Sequence, residues 1–250
     1  MNPLAVLCGA GVLAGMMNAL AGGGSFVTLP ALIAAGIPSV NANTSGTVAL
    51  FPGLLASSWT YRDGLGPIGS VALRSLVVVT FIGGAIGAVL LLLTPIKTFD
   101  WVLPWLMAIA TVALMFGARL GELLRRRRHI GAPTVLIAQF VLGIYGGYFG
   151  GGVGIMMMAV WSLLTDRTLK SFNAPRTFLV CAAKTVAVLI FIAAGSVHWR
   201  ESLVLLLGAV VGGFCGANIG RRAPAKVVRI ATLLLSVGIT LAFFARAYLK

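Results

Sequence analysis

Mostly apolar and wholly free of acidic or basic residues along its first sixty positions, the chain then alternates long uncharged stretches with short charged clusters. No acidic or basic side chain precedes Arg62, and further uncharged stretches cover 75–96, 101–118, 130–165, 202–220 and 230–245. About 20 apolar residues suffice for a helix to cross the hydrocarbon core of a bilayer. The pattern therefore predicts helices near 3–21, 40–60, 68–93, 99–122, 134–150, 173–195, 200–220 and 224–247. Two shorter apolar pieces, 26–36 and 153–164, each follow a glycine triplet, Gly22-Gly23-Gly24 and Gly150-Gly151-Gly152. Glycine in a helix interior costs about 1 kcal/mol relative to alanine, so each triplet should break or turn the chain inside the apolar layer. The 26–36 piece would rise only about 16 Å as a helix, half a bilayer.

The two halves of the chain repeat one another. Gly22-Gly23-Gly24 matches Gly150-Gly151-Gly152, and Asn41-Ala42-Asn43-Thr44-Ser45 matches Asn173-Ala174-Pro175-Arg176-Thr177. Gly83-Gly84-x-x-Gly87-Ala88 matches Gly212-Gly213-x-x-Gly216-Ala217, and Pro95 matches Pro224. An ordered series of this kind is the mark of an internally duplicated transporter-like fold. The reading is an all-α polytopic membrane protein with two repeats, each a glycine-broken re-entrant or hairpin helix plus about three full spans. The first repeat covers 1–124, a basic cytoplasmic linker 125–132, and the second repeat 133–250.

Composition agrees with this class and excludes others. Of 250 residues, 59% are hydrophobic and 10% charged, with 32 glycines; the mean hydropathy is +1.03. Soluble domains carry roughly 25% charged residues. The net charge of +14 arises from 19 Lys and Arg against 5 Asp and Glu. In a soluble chain that excess would suggest nucleic acid. Here the cations gather in loops, so nucleic-acid binding, a soluble enzyme and a secreted disulfide scaffold are excluded. A signal peptide is not expected either, because the N-terminus lacks a basic region and stays apolar far beyond an h-region. Cys8, Cys181 and Cys215 lie in apolar stretches with no CxxC or Cys/His cluster, as packing residues do.

Charge also arbitrates orientation, since cytoplasmic loops collect Lys and Arg. With Arg119 and Arg125–Arg128 on the cytoplasmic side, an odd number of crossings per half leaves Lys97, Arg200, Arg246 and Lys250 outside. An even number would move more cations outward. Inverted repeats with both termini outside are therefore expected, and Trp59, Tyr61, Trp101, Trp199 and Tyr248 then fall at span ends as an aromatic belt.

Candidate chemistry concentrates at the repeated motifs. A helix N-terminus directed into the membrane carries about half a positive charge and free N–H donors. Gly22, Gly23, Gly24 and Ser25, and equally Gly150, Gly151 and Gly152, could bring such ends close to an anion. Packing glycines are the bland alternative. Asn43, Thr44 and Ser45 begin an apolar helix and Asn173 begins its counterpart; they read as substrate contacts or as ordinary caps. Lys184 stands eleven residues into an apolar helix, where an ionisable group is expensive and normally faces a cavity or a partner. Arg176 lies nearer the helix end, within snorkelling reach. All five acidic residues (Asp63, Asp100, Glu122, Asp166 and Glu201) fall in or beside loops, so these intramembrane cations point to an anionic substrate rather than a carboxylate proton relay. His129 and His198 are expected at solvated loop edges. No metal-ligand spacing, nucleophile–base pair or phosphate loop appears, so neither a metal, a cofactor nor an enzymatic activity is expected. The glycines at 83–87 and 212–216 fit close helix packing. The arginine run at 125–128 fits a topology determinant in contact with anionic lipid.

Gly11-x-x-x-Gly15, Gly22-Gly23-Gly24-Ser25, Leu29-Pro30, Gly36-Ile37-Pro38 and Asn41-Ala42-Asn43-Thr44-Ser45 together resemble the opening of TauE/SafE-family transporters. Gly150–Gly152, Asn173-Ala174 and the Gly195…Trp199 turn resemble the family's second half more loosely, because Pro175-Arg176 stands where the first half has Asn43-Thr44. The resemblance implies a permease of the bacterial inner membrane with inverted repeats. It further implies transport of sulfite, sulfonates or related organosulfur anions, usually outward. Substrate, direction, coupling ion and oligomeric state are open, a proton gradient being one candidate driving force. A passive anion channel and a non-transporting scaffold subunit of a membrane complex are the alternatives.

Overall fold

The structure is a computed structural model that describes residues 3–125, 131–162, 169–222 and 225–248. The described residues form ten α-helices and no strand: α1 (Pro3–Ala21), α2 (Ser25–Ala34), α3 (Ser39–Thr60), α4 (Leu73–Leu93), α5 (Ile96–Arg125), α6 (Ala132–Tyr148), α7 (Val153–Trp161), α8 (Asn173–Ala193), α9 (Trp199–Arg222) and α10 (Ala225–Tyr248). Five segments are long and apolar enough to cross a membrane: Leu73–Leu93, Ile96–Phe116, Asn173–Ala193, Trp199–Gly216 and Ile230–Tyr248. The shorter α1, α2 and α6 are apolar as well. The long helices α4, α9 and α10 expose large apolar side chains such as Leu93, Leu207, Phe214 and Leu234. A surface of this kind suits lipid and not water. Trp59, Tyr61, Trp101, Trp199 and Tyr248 are exposed at or near helix ends, as expected of an interfacial belt. Arg126–Arg128 and His129 of the basic linker, the tail of the 153–164 piece and Pro224 lie outside the described residues.

The elements match the periodicity closely, with one instructive difference. The span expected from 68 begins instead at Leu73, because Ile68 and Val71 exchange both backbone hydrogen bonds at 3.0 Å across a tight turn. Gly69 carries the positive φ (58°) that the turn needs. Ile68 and Val71 join Leu76, Val135, Val153, Met157, Trp161, Phe172 and Leu179 in a buried cluster. The apolar character that suggested helix is in fact core.

The chain divides into two compact units, each drawing on both sequence halves. The first takes residues 1–53, 92–111 and 191–250; the second takes 54–91 and 112–190. In the first unit α1 packs along α9. A Cβ on Gly11 would lie 2.5 Å from the Leu205 carbonyl oxygen, and one on Gly15 or Gly212 would collide with the backbone of Ala209 or Val12. The second unit has the same seam between α4 and α6. There a Cβ on Gly83 would lie 2.6 Å from the Phe140 carbonyl oxygen, and one on Gly87 or Gly147 would collide with Ile144 or Gly84. Such close backbone approach is the dominant attraction available between helices in lipid, where no hydrophobic force separates tail from side chain. The contacts equate Gly83 with Gly208 and Gly87 with Gly212, one helical turn from the register that matching the glycine motifs suggests.

A buried polar chain ties three helices of the second unit. Trp161 Nε1 donates to Gln139 Oε1 (3.1 Å), Gln139 Nε2 to Thr80 Oγ1 (2.7 Å), and Thr80 Oγ1 to the Leu76 carbonyl (2.6 Å). Gln139→Leu strands the indole N–H in an apolar core, which costs about 1–3 kcal/mol. Thermal unfolding in detergent should show that loss, and the Gln139→Leu/Trp161→Phe double variant should recover most of it, since then no donor is orphaned.

Candidate functional site

The glycine-broken connection between α6 and α7 is built from its backbone outward. After Tyr148 the chain leaves the helix; the Phe149 and Gly150 N–H groups both donate to the Tyr145 carbonyl, at 2.9 and 3.0 Å. Gly150 has φ +80° and Gly152, which caps α7, φ +69°. Both angles lie in the left-handed region that glycine adopts without strain. Tyr145 Oη donates to the Gly151 carbonyl (2.9 Å), pinning the break to the helix before it.

Lys184 reaches this break from midway along α8. It is 9% exposed, and its Nζ donates to the Phe149 carbonyl at 3.3 Å. A Cβ on Gly150 would lie 2.5 Å from Lys184 Cε and collide with Nζ. The ammonium thus occupies the space a side chain at Gly150 would take, and the glycine is required twice, for φ and for the lysine. Arg176, two turns before Lys184 on α8, is half-buried and lays its stem on the first turn of α7. There a Cβ on Gly154 would lie 3.0 Å from its Cγ and 3.1 Å from its Cδ. Two cations of one helix therefore flank the break and the N-terminal turn of α7, whose dipole adds positive character. Asn173 heads α8 about 16 Å along the axis from Lys184, and its carbonyl accepts from Thr177 Oγ1 (2.9 Å).

The first unit holds the other candidates. Gly22 (φ +75°) ends α1, and Gly24 precedes α2, wedged where a Cβ would lie 2.9 Å from the Ala14 carbonyl oxygen and 3.0 Å from Asn18 and Leu50. A Cβ on Gly23 would meet the Met17 methyl at 2.9 Å. Ser25 starts α2 and is half-buried. Asn43, Thr44 and Ser45 are buried one turn into α3, and the two hydroxyls are engaged. Thr44 Oγ1 donates to the Ser196 carbonyl (2.8 Å), and Ser45 Oγ accepts from the His198 N–H (2.9 Å). Asn41 Nδ2 donates to the Ser196 carbonyl (3.0 Å) and Ser202 Oγ to the Ser45 carbonyl (3.3 Å). The N-terminus of α3 is thus clasped to the turn before α9. His198, expected at a solvated loop edge, is half-buried there instead, because the clasp draws its backbone onto Ser45.

Sequence reasoning marked the segment from Asn41 to Ser45 but missed its partners Ser196 and Ser202 at the clasp, and Tyr145 and the Phe149 carbonyl at the break. The only available signal was the Asn41–Asn173 match. The same spacing sets Lys184 against Pro52 of α3, so the first unit has no lysine in the matching place. No grouping of three metal-ligating side chains occurs among the described residues.

The family profile described as sulfite exporter TauE/SafE matches residues 7–243. This chain belongs to the TauE/SafE family. The Escherichia coli (strain K12) probable membrane transporter protein YfcA is 28% identical over 234 residues, 93% of this chain and 86% of that one. A Haemophilus influenzae probable membrane transporter protein is 26% identical over 245 residues, covering 95% and 92%. The Sinorhizobium probable membrane transporter protein ORF9 is 28% identical over 252 residues, covering 97% and 92%. No solved structure matches the chain. As a TauE/SafE protein with five helices among the described residues able to cross a membrane, it is a multi-pass protein of the bacterial inner membrane, within a transporter family.

Proposed function

We propose that this TauE/SafE protein is a secondary transporter of a small anion, with sulfite, a sulfonate or another organosulfur oxyanion as cargo. The observation that carries the reading is Lys184, a buried mid-span ammonium lying on the glycine break between α6 and α7. Its bond to the Phe149 carbonyl is long, at 3.3 Å, and an anion is a stronger partner than a neutral carbonyl. In this reading the substrate displaces that carbonyl, Arg176 supplies a second charge along α8, and the N–H groups at the start of α7 complete the cradle. Asn173 serves as a further polar contact on α8, and the first unit carries its own candidate group in Gly22, Gly23, Gly24, Ser25, Asn43, Thr44 and Ser45. The repeats 1–124 and 133–250 run inverted about the basic linker 125–132: the recurrence of the glycine seam in both units supports the duplication, and the distribution of loop cations supports the inversion.

Purified protein should be stabilised against heat by its anion and not by unrelated carboxylates. At one hundred times Kd the gain is about 2.7 kcal/mol. In proteoliposomes the same anion should show saturable flux that responds to an imposed proton gradient. Flux without saturation would favour a channel, and no flux with co-purifying partners would favour a scaffold.

A further inference from the structure

Away from the glycine breaks, the first unit carries a second built feature at the ends of α5 and α10. These helices run antiparallel, side by side. Trp101 packs edge-on against Tyr248 (centroids 4.9 Å) and Trp105 against Phe244 (5.2 Å), while Thr111 bonds Thr240 at 3.0 Å deeper along the seam. Tyr248 Oη donates to the Trp101 carbonyl and accepts from Trp105 Nε1, both at 3.0 Å, locking the aromatic end of the seam. At that end an open cavity of about 170 Å³ is lined by Asp100, Trp101, Phe243, Arg246 and Ala247. Asp100 and Arg246 share the cavity without pairing; among the described residues the ion pair is Arg62 with Asp63.

We propose that this cavity binds a phospholipid headgroup, with preference for one carrying a primary ammonium beside its phosphate. Three observations converge on that occupant. The cavity lies at helix ends beside exposed Trp101 and Tyr248, the depth at which headgroups and aromatic belts meet. Its walls offer one anion and one cation separated by more than bonding distance, which complements a zwitterion. Arg246 takes the phosphate as a fork of N–H donors, and Asp100 takes the ammonium, with the Trp101 ring as a further attractive face. Finally, the same helices expose apolar side chains further along the span, Trp105 and Ile109 on α5 and Leu241 on α10, as a bed for acyl chains. A choline headgroup has no N–H to give Asp100, and a net-anionic headgroup meets the Asp100 charge uncompensated. The favoured order is therefore ethanolamine above choline and glycerol headgroups. A soluble phosphoethanolamine shares the headgroup chemistry but lacks the acyl bed.

Native mass spectrometry of the full chain in detergent, delipidated and given equal phosphatidylethanolamine, phosphatidylcholine and phosphatidylglycerol, tests this. The ethanolamine lipid should be retained about three- to fivefold over the others, the scale of a solvent-accessible charge contact. Asp100→Asn should erase that preference, Asp100→Glu should keep it, and Arg246→Gln should weaken all three lipids. Free phosphoethanolamine in equal amount should leave the lipid bound. Equal retention of the three lipids by the unaltered protein would overturn the proposal. So would a ranking untouched by either variant, or displacement by phosphoethanolamine. A merely structural role for Asp100 and Arg246 as counter-charges to the helix dipoles would shift thermal stability and leave the ranking unchanged.

Discussion

Lys184→Met protein should insert and fold yet carry no anion. The side chain it replaces is 9% exposed, sits midway along an apolar helix, and donates from its ammonium to a backbone carbonyl. Burying an ammonium in such a place is costly, and apolar replacement of buried charge is often neutral or stabilising. If Lys184 merely supported the fold, the methionine variant would melt earlier. If it serves an anion, the variant melts at the same temperature or higher and loses the stabilisation that substrate gives. A charge-assisted contact of about 3 kcal/mol in this setting corresponds to more than a hundredfold loss of flux or affinity. Lys184→Arg should fail too, because Gly150 leaves room for an ammonium and not for a wider guanidinium fork. Flux and thermal shift measured on the same preparations separate the two roles; undiminished flux in Lys184→Met would remove the anion site from the α6–α7 break.

Gly212→Val and Gly87→Val should abolish the folded protein or destabilise it severely. In each case the new Cβ would collide with a backbone carbonyl oxygen, that of Val12 in the first unit and that of Ile144 in the second. Backbone cannot step aside as a flexible side chain can, so the helices must separate along the whole seam. Overpacking a tight interior typically costs about 1–3 kcal/mol per site, and here the separation also forfeits the contacts of neighbouring glycines. Gly213→Ala is the control, since the nearest atom to its Cβ would be the Gly15 carbonyl oxygen at 4.0 Å. Size-exclusion profiles and melting temperatures should show the two valine variants aggregated and the alanine variant intact. A folded Gly212→Val protein would mean that the α1–α9 seam is not a close backbone contact.

Much of this was legible along the chain, for reasons that differ by element. Helix positions followed from long uncharged runs, because a bilayer leaves the backbone no alternative to internal hydrogen bonding. Breaks followed from Gly22–Gly24 and Gly150–Gly152, because glycine is the residue that leaves a helix with positive φ. The α4 boundary was misjudged since Ile68 and Val71 are apolar for the sake of a core, and periodicity does not distinguish core from lipid. The cations were identifiable as exceptional, because Lys184 and Arg176 interrupt an otherwise apolar helix.

What stayed invisible depended on contacts distant in sequence. The glycine seam pairs Gly83 with Gly143 and Gly11 with Gly208, and its register is set by which carbonyl each glycine meets, not by the motif spacing. Thr44 and Ser45 look like ligands or caps in sequence; the fold turns them onto Ser196 and His198 some 150 positions away. The meeting of Lys184 with Phe149 and Gly150 is of the same kind, as is the facing of Asp100 and Arg246 across one cavity. Composition and periodicity settle solvent, helix and break, since each is an energy local to the chain. Which helix a glycine touches, and which carbonyl an ammonium finds, are settled by packing, since those energies exist only once remote segments have met.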